Sequence, residues 1–201
     1  MNRPAPSPDE PTDDPRFLPG GRCYQQAICF ALPGEPPITV EVVDPDALAQ
    51  QAVSQLDIAP PDIQMVPDLA PGGFGFIGLP VWLWTPQPQW EPISASASAG
   101  GLTVTATAQL SSVDYDMGDG TTLHCTTPGE PYQESYGDRD SPTCGHRYQQ
   151  TSVHEPGMAY TVTATAAYDV TWTGAATGAT TLTDDATTQL PMGERQVLIT
   201  S

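Results

Sequence analysis

Two histidines and two cysteines in the second half of the chain could hold a metal ion or form a cross-link. They are His124, Cys125, Cys144 and His146. One zinc ion accepts four such ligands, but the CxxC pairs of zinc fingers and ribbons are missing. In an exported chain, an even number of cysteines is more simply explained by disulfide bonds. We therefore expect a Cys125–Cys144 disulfide and no metal, with a zinc site as the alternative.

The remaining two cysteines, Cys23 and Cys29, lie close together near the N-terminus. We expect them to form a second disulfide bond. Four cysteines permit three pairings, and the sequence leaves the other two open.

Carboxylates surround a glycine-containing turn that begins at Asp116. Asp114, Asp116 and Asp119 carry the oxygen ligands that calcium prefers. The pattern differs from an EF-hand, because Gly118 stands where an acid or amide is needed and Cys125 where the bidentate glutamate belongs. We favour hydrogen bonds from Asp116 and Asp119 to turn amides, with a calcium site as the alternative.

A hydrolytic triad can be assembled only on paper, from Ser111 or Ser141 with His146 and Asp119. The G-x-S-x-G motif of a nucleophile elbow is missing, and no cofactor motif is present. The chain contains no lysine, which excludes a P-loop and Schiff-base chemistry. We therefore expect a protein that is not an enzyme and binds no cofactor.

The net charge is −18, from 24 acidic and 6 basic residues. Such a field repels the phosphate backbone, so nucleic acid is a poor partner. The longest weakly polar run, residues 72–84, is too short to span a membrane.

Aromatic residues are the best candidates for contacts with a partner. Tryptophans concentrate in a proline-rich stretch over residues 78–90, and tyrosines follow in the segment between the two later cysteines. Packing of the tryptophans against a neighbouring sheet is the interpretation we favour over an exposed carbohydrate platform. If contact residues exist, we expect them among Trp82, Trp84, Trp90, Tyr132 and Tyr136.

Three regions follow from composition and periodicity. Residues 1–20 are acidic and proline-rich and predict a disordered tether. Residues 21–91 predict a small mixed segment: a strand over 38–43, a helix over 45–56 that Asp44 caps, and a short edge strand over 63–66. Residues 92–201 predict a β domain.

Alternation of apolar and polar residues dominates this last region. Leu102, Val104, Ala106 and Ala108 share one face, and apolar residues stay in phase from Tyr160 to Trp172. A glycine-marked turn over residues 174–178 reverses the chain, and residues 196–200 predict a last strand. The region is predicted to fold as an all-β, antiparallel sandwich of immunoglobulin size.

Four ordered motifs resemble the PKD (polycystic-kidney-disease) domain family. They are YDMGDGT at residues 115–121, HRY at 146–148, PG at 156–157 and YTVTAT at 160–165. The resemblance implies an immunoglobulin-like sandwich of the kind found in extracellular and cell-surface proteins. Tyr115 and Met117 replace the usual tryptophan and phenylalanine, and the interval from Gly120 to His146 is longer than usual. The GLPVWLW and ERQVLIT segments also look like exported actinobacterial proteins of unassigned activity that carry this domain.

These observations lead to one functional hypothesis and two alternatives. We expect a non-enzymatic extracellular or cell-surface binding or spacer module that presents loops or aromatic residues to a protein or glycan partner. The opening residues lack the order of a secretion signal, so this expectation implies that a signal is missing from the sequence. The alternatives are an accessory domain of a secreted hydrolase and a zinc-dependent enzyme.

Overall fold

A computed structural model describes residues 43–68 and 73–195 with their side chains, and the backbone of residues 17–18, 21–24 and 28–30. Contacts divide the chain into two compact units, Met1–Val43 and Asp44–Ser201. The helix and the tryptophan-rich stretch, which the sequence analysis set apart from the β domain, thus belong to the same unit as its strands.

The first unit contains one described antiparallel sheet. Its strands are β1 (Phe17–Leu18), β2 (Gly21–Tyr24) and β3 (Ile28–Phe30). Cys23 and Cys29 are directly opposite in the backbone register, where Cα separations suit a disulfide. The bridge itself lies outside the described side chains and stays a prediction. Most of the predicted tether also lies outside the described residues, since only Phe17–Leu18 of residues 1–20 are described. The strand predicted over residues 38–43, apart from residue 43, and the strand predicted over 196–200 lie outside them as well.

The second unit begins with the single described α-helix, α1 (Pro45–Ser54). The Asp44 carboxylate caps it by accepting a hydrogen bond from the Asp46 amide at 3.0 Å. Leu48, Ala49 and Ala52 bury the apolar face of the helix. The predicted helix is therefore confirmed, although it ends two residues earlier than expected.

Ten described strands complete this unit. They are β4 (Gln64–Val66), β5 (Gly75–Phe76), β6 (Val81–Trp84), β7 (Ile93–Ala99), β8 (Leu102–Asp116), β9 (Thr122–Cys125), β10 (Gly145–His146), β11 (Tyr160–Gly174), β12 (Gly178–Leu190) and β13 (Met192–Gly193). Short 3₁₀ helices cover Gln87–Trp90, Glu134–Tyr136, Ser152–His154 and Pro156–Met158.

The strands form a two-layered, antiparallel all-β body, as the sequence predicts. The large sheet has the order β12-β11-β8-β7, with β9 paired to the end of β8, and the small sheet has the order β10-β6-β4. A parallel pair, β5 and β13, forms a separate two-stranded sheet. Val113 and Val162 of the large sheet are fully buried in one core with Val81 and Leu83 of the small sheet. Each such side chain contributes about 1.5–3 kcal/mol by leaving water.

The long strand β11 confirms the unbroken phase predicted from Tyr160 onward, since every second residue to Val170 is buried. Its neighbour β8 contains a β-bulge that the sequence analysis did not predict. Leu110 and Ser112 pair with successive residues of β11, so Ser111 between them is the extra residue of the bulge. The Ser111 hydroxyl donates to the carbonyl of Ala167 at 3.0 Å. The bulge shifts the buried face from even to odd positions, so that both halves of β8 point to the core.

Across the described parts of the chain, no helix is long and apolar enough to cross a membrane.

Candidate functional site

A disulfide closes the insertion between β9 and β10. Cys125 and Cys144 lie at disulfide distance with their Cα atoms 6.1 Å apart, which confirms the predicted pairing. We call residues 126–143 the insertion. Holding both ends of a loop this long stabilises the folded state by about 3 kcal/mol in the chain-entropy model.

The insertion folds over the outer face of the small sheet. Val81 and Leu83 of β6 point into the core, so Trp82 and Trp84 point to the other side. Trp82 is 0% exposed. Tyr136 stacks on its ring with centroids 5.1 Å apart, and Tyr132 meets it edge-on at 5.5 Å. Trp82 is therefore packed, as the favoured interpretation expects, and its ring is not exposed to a partner.

Polar bonds and close backbone contact hold the insertion in place. The indole Nε1 of Trp82 donates to the carbonyl of Arg139 at 2.9 Å. Gly129 lies so close to Trp84 that an added Cβ would be 2.8 Å from the Trp84 Cβ. The guanidinium of Arg139 lies 4.5 Å from the centre of the Tyr136 ring, a cation–π contact. Hydrogen bonding of the Tyr136 hydroxyl to Glu130 raises the pKa of Tyr136.

The other two tryptophans among the expected contact residues, Trp84 and Trp90, are half-buried. Trp90 packs against the core at the end of the first 3₁₀ helix, and its carbonyl accepts a hydrogen bond from the Gln109 side chain. The two tyrosines among the expected contact residues, Tyr132 and Tyr136, are half-buried as well. They lie beside each other over Trp82.

Tyr132 also forms one wall of a small open cleft, which we call the aromatic cleft. Its volume is about 140 Å³. Phe74 and Phe76 form another wall, with ring centroids 5.0 Å apart in an edge-to-face arrangement, and Phe74 is 52% exposed. Most of the described lining residues are apolar, and Asp138 is the charged one; the lining comprises Val66, Pro67, Phe74, Gly75, Phe76, Leu79, Pro80, Val81, Tyr132, Gly137 and Asp138.

Arg147 fixes the two walls of the aromatic cleft relative to each other. Its guanidinium donates to the carbonyl of Gly78, in the turn after β5, and to the carbonyl of Asp138 at 2.7 Å, in the insertion. The same group pairs with the Asp140 carboxylate. Because one planar group binds both segments, the cleft is formed before any ligand arrives.

The residues considered for zinc pair with groups other than a metal. Of the groups considered for a triad, His146 and Asp119 do meet, but the hydroxyls of Ser111 and Ser141 bond elsewhere. His124 pairs with Asp114, His146 Nε2 lies 2.7 Å from the Asp119 carboxylate, and the two cysteines bind each other. The hydroxyl of Ser141 accepts a hydrogen bond from the Cys144 amide at 3.1 Å. Among the residues with described side chains, no three His, Cys, Asp or Glu groups converge on a metal position.

Two of the three acidic residues considered for calcium, Asp116 and Asp119, hold the turn between β8 and β9, whereas Asp114 pairs with His124. The Asp116 carboxylate accepts a hydrogen bond from the Gly118 amide at 2.9 Å, and Asp119 accepts one from Thr121 at 3.0 Å. Gly118 has a φ of +77°, and a Cβ there would lie 2.7 Å from the Thr161 carbonyl oxygen. This geometry agrees with the turn-fixing role favoured for Asp116 and Asp119.

The HRY motif joins this turn to the core. Burial acts to raise the pKa of Asp119, but hydrogen bonds from His146 and Thr121 outweigh it, so the pKa lies below its ordinary value of 3.8. The buried Tyr148 hydroxyl donates to the Met117 carbonyl at 2.7 Å, and its ring stacks on Tyr160 with centroids 4.6 Å apart. Burial raises the pKa of Tyr148 far above its ordinary range.

Sequence reasoning missed most of the aromatic cleft. Phe74 and Phe76 stand in the glycine-rich run GGFGFIG, where alternating phenylalanines were the available signal. Nothing in the sequence indicated that Arg147 binds the carbonyls of both Gly78 and Asp138. Comparison with family models, with curated proteins and with solved structures finds no match for this chain.

Proposed function

We propose that the chain is a non-enzymatic binding module whose aromatic cleft receives part of a protein or glycan partner. The observation that carries the proposal is the cleft itself, an exposed and mostly apolar hollow with walls fixed by Arg147. Exposed apolar surface with a fixed shape is typical of interaction sites.

The size of the cleft distinguishes between kinds of ligand. Small-molecule and cofactor pockets usually measure roughly 300–1,000 Å³. The aromatic cleft, at about 140 Å³, is smaller than this range. It has room for one side chain or one sugar ring of a larger partner.

We also propose that the body is an immunoglobulin-like domain of the PKD type that works outside the cell. The turn bonds of Asp116 and Asp119 and the contacts of His146 and Tyr148 give physical roles to the motifs that resemble this family. The cysteine pair supports an oxidising compartment, where disulfide bonds persist.

Binding arrays test the proposed function. The intact protein is applied to an array of glycans and to an array of extended peptides, beside the variant Phe74→Ser. Phe74 is half exposed, so the variant is expected to fold normally, which circular dichroism checks. We expect ligands of one class to bind the wild type and to lose most of their signal with the variant. Arrays without bound ligands, or equal binding by both proteins, would contradict the proposal.

A further inference from the structure

Resting on the proposed function, we infer that the aromatic cleft binds an extended, proline-containing peptide segment of a protein partner, with a basic residue beside the proline. Three features of the described surface carry this inference: the ring-lined walls, the acid at the rim and an apolar patch beyond Phe74.

The walls match the chemistry of a proline ring. Phe74, Phe76 and Tyr132 present aromatic rings, and Pro67 and Pro80 complete the lining. Grooves of this composition bind polyproline II segments, because the compact, apolar proline rings pack on aromatic faces and the peptide is already extended in solution. A sugar would require several polar side chains, whereas the described lining offers the Asp138 carboxylate and the Tyr132 hydroxyl, which already donates to the Gly137 carbonyl.

The acidic rim of the cleft favours a positively charged partner. Asp138 is exposed at the cleft, and the chain carries a net charge of −18. An arginine or lysine next to the bound proline would pair with Asp138, whereas an acidic residue would be repelled. The long-range field also favours a basic partner during encounter.

A second apolar surface begins on the other side of Phe74. Val153 and Met158 are 56% and 65% exposed, and they share a shallow hollow of about 450 Å³ with Phe74 and Met192. We call Val153 and Met158 the distal patch. Because Phe74 lines both hollows, a peptide in the aromatic cleft that continues past this ring reaches the distal patch.

The backbone holds the distal patch in one shape. Met158 has a φ of +58°, which is unfavourable for a residue with a side chain. The buried hydroxyl of Ser152 donates to the Met158 carbonyl at 2.6 Å and accepts a hydrogen bond from the Met192 amide at 2.9 Å. The Met158 side chain is therefore held outward, although this conformation exposes an apolar group to water.

The experiment measures fluorescence anisotropy with the intact protein and three labelled peptides. The first repeats proline and alanine around one arginine, the second has glutamate in place of arginine, and the third has serine in place of every proline. We expect saturable binding of the arginine peptide, with the other two weaker. Asp138→Asn should weaken the arginine peptide about two- to fivefold, as for an exposed ion pair. Glu134→Gln, an exposed acid outside the cleft, is the matched control and should change nothing.

Two further variants separate the cleft from the distal patch. Phe74→Ser should weaken the arginine peptide about tenfold or more, as loss of an aromatic anchor does. A longer arginine peptide that ends in leucines should bind more tightly than the short one. Met158→Asn, which suits positive φ, should abolish that gain and leave the short peptide unaffected.

The outcomes distinguish this inference from the proposed function. If none of the peptides binds up to about 1 mM while glycans bind in a Phe74-dependent way, the inference is wrong and the proposed function stands. Equal affinity for the arginine and glutamate peptides also contradicts the inference. If neither peptides nor glycans bind, both are wrong.

Discussion

The insertion covers one outer face of the sandwich, whereas the other outer face is exposed to water. The outer face of the small sheet carries Trp82 and Trp84, and the insertion covers it. The outer face of the large sheet carries hydroxyl groups and faces water. There Ser94, Ser96 and Ser98 of β7 pair with threonines of β8 at 2.8–2.9 Å.

The difference shows what each face requires from the rest of the chain. Hydroxyl groups bond to one another and to water, so the large sheet needs no third layer at that edge. Indole rings in water would lose the free energy of burial, so the small sheet needs a cover, and the cover needs an anchor at both ends. The disulfide and Arg147 provide the anchors, and the aromatic cleft lies where the cover meets β5.

Trp82→Ala should have the largest effect on the stability of the covered face. It removes the ring on which Tyr132 and Tyr136 pack and should lower the free energy of unfolding by about 3–5 kcal/mol. Denaturant unfolding measures the loss. Trp84→Ala, at a half-buried ring on the same strand, is the matched control with a smaller expected cost. Equal effects of the two variants would show that the insertion does not cover Trp82.

Replacing Cys125 and Cys144 together by alanine should cost about 3 kcal/mol, because the unfolded insertion regains its freedom. We expect the tyrosines to leave Trp82, so that tryptophan emission moves to longer wavelength before the body unfolds. Variants are preferable to a reducing agent, since the chain also contains Cys23 and Cys29. A double variant with unchanged emission and stability would contradict the anchoring role.

Asp119→Asn tests the junction between the faces, because His146 of the small sheet bonds to Asp119 in the turn of the large sheet. The folded-state pKa of Asp119 lies below the ordinary value of 3.8. The stabilisation is therefore fully present above that value and is lost as the pH falls through the folded-state pKa. Urea midpoints from pH 2 to 6 should fall less steeply with acid in the variant than in the wild type. If the urea midpoints of the variant and the wild type fall equally with acid, Asp119 does not stabilise this junction.

Ser96→Ala should have the smallest effect. Its hydroxyl bonds to Thr105 at 2.8 Å on an exposed face, and water replaces a lost partner there. We expect a change of at most about 0.5 kcal/mol in the free energy of unfolding. A loss above roughly 2 kcal/mol would mean that this face is covered in solution, contrary to the comparison.

Local patterns in the sequence determined the body of this protein. The alternation of β11, the cap and apolar spacing of α1 and the glycine turn into β12 each involve neighbouring residues, and each predicted element is present. Short-range physics governs these features, because side-chain period and backbone freedom are properties of a few consecutive residues. The disulfide between Cys125 and Cys144 was also predictable, from the number and spacing of the cysteines.

Tertiary structure decided the covered face and the cleft. The bulge at Ser111 lets both halves of β8 face one core; its local signal, the shift of apolar residues from even positions up to Leu110 to odd positions from Val113, was missed in the sequence analysis. Tyr132 meets Phe74 and Phe76 in one cleft only because the insertion folds back over β6 and Arg147 joins segments far apart in sequence. Such contacts depend on how sheets and loops pack in three dimensions, and sequence spacing does not encode them.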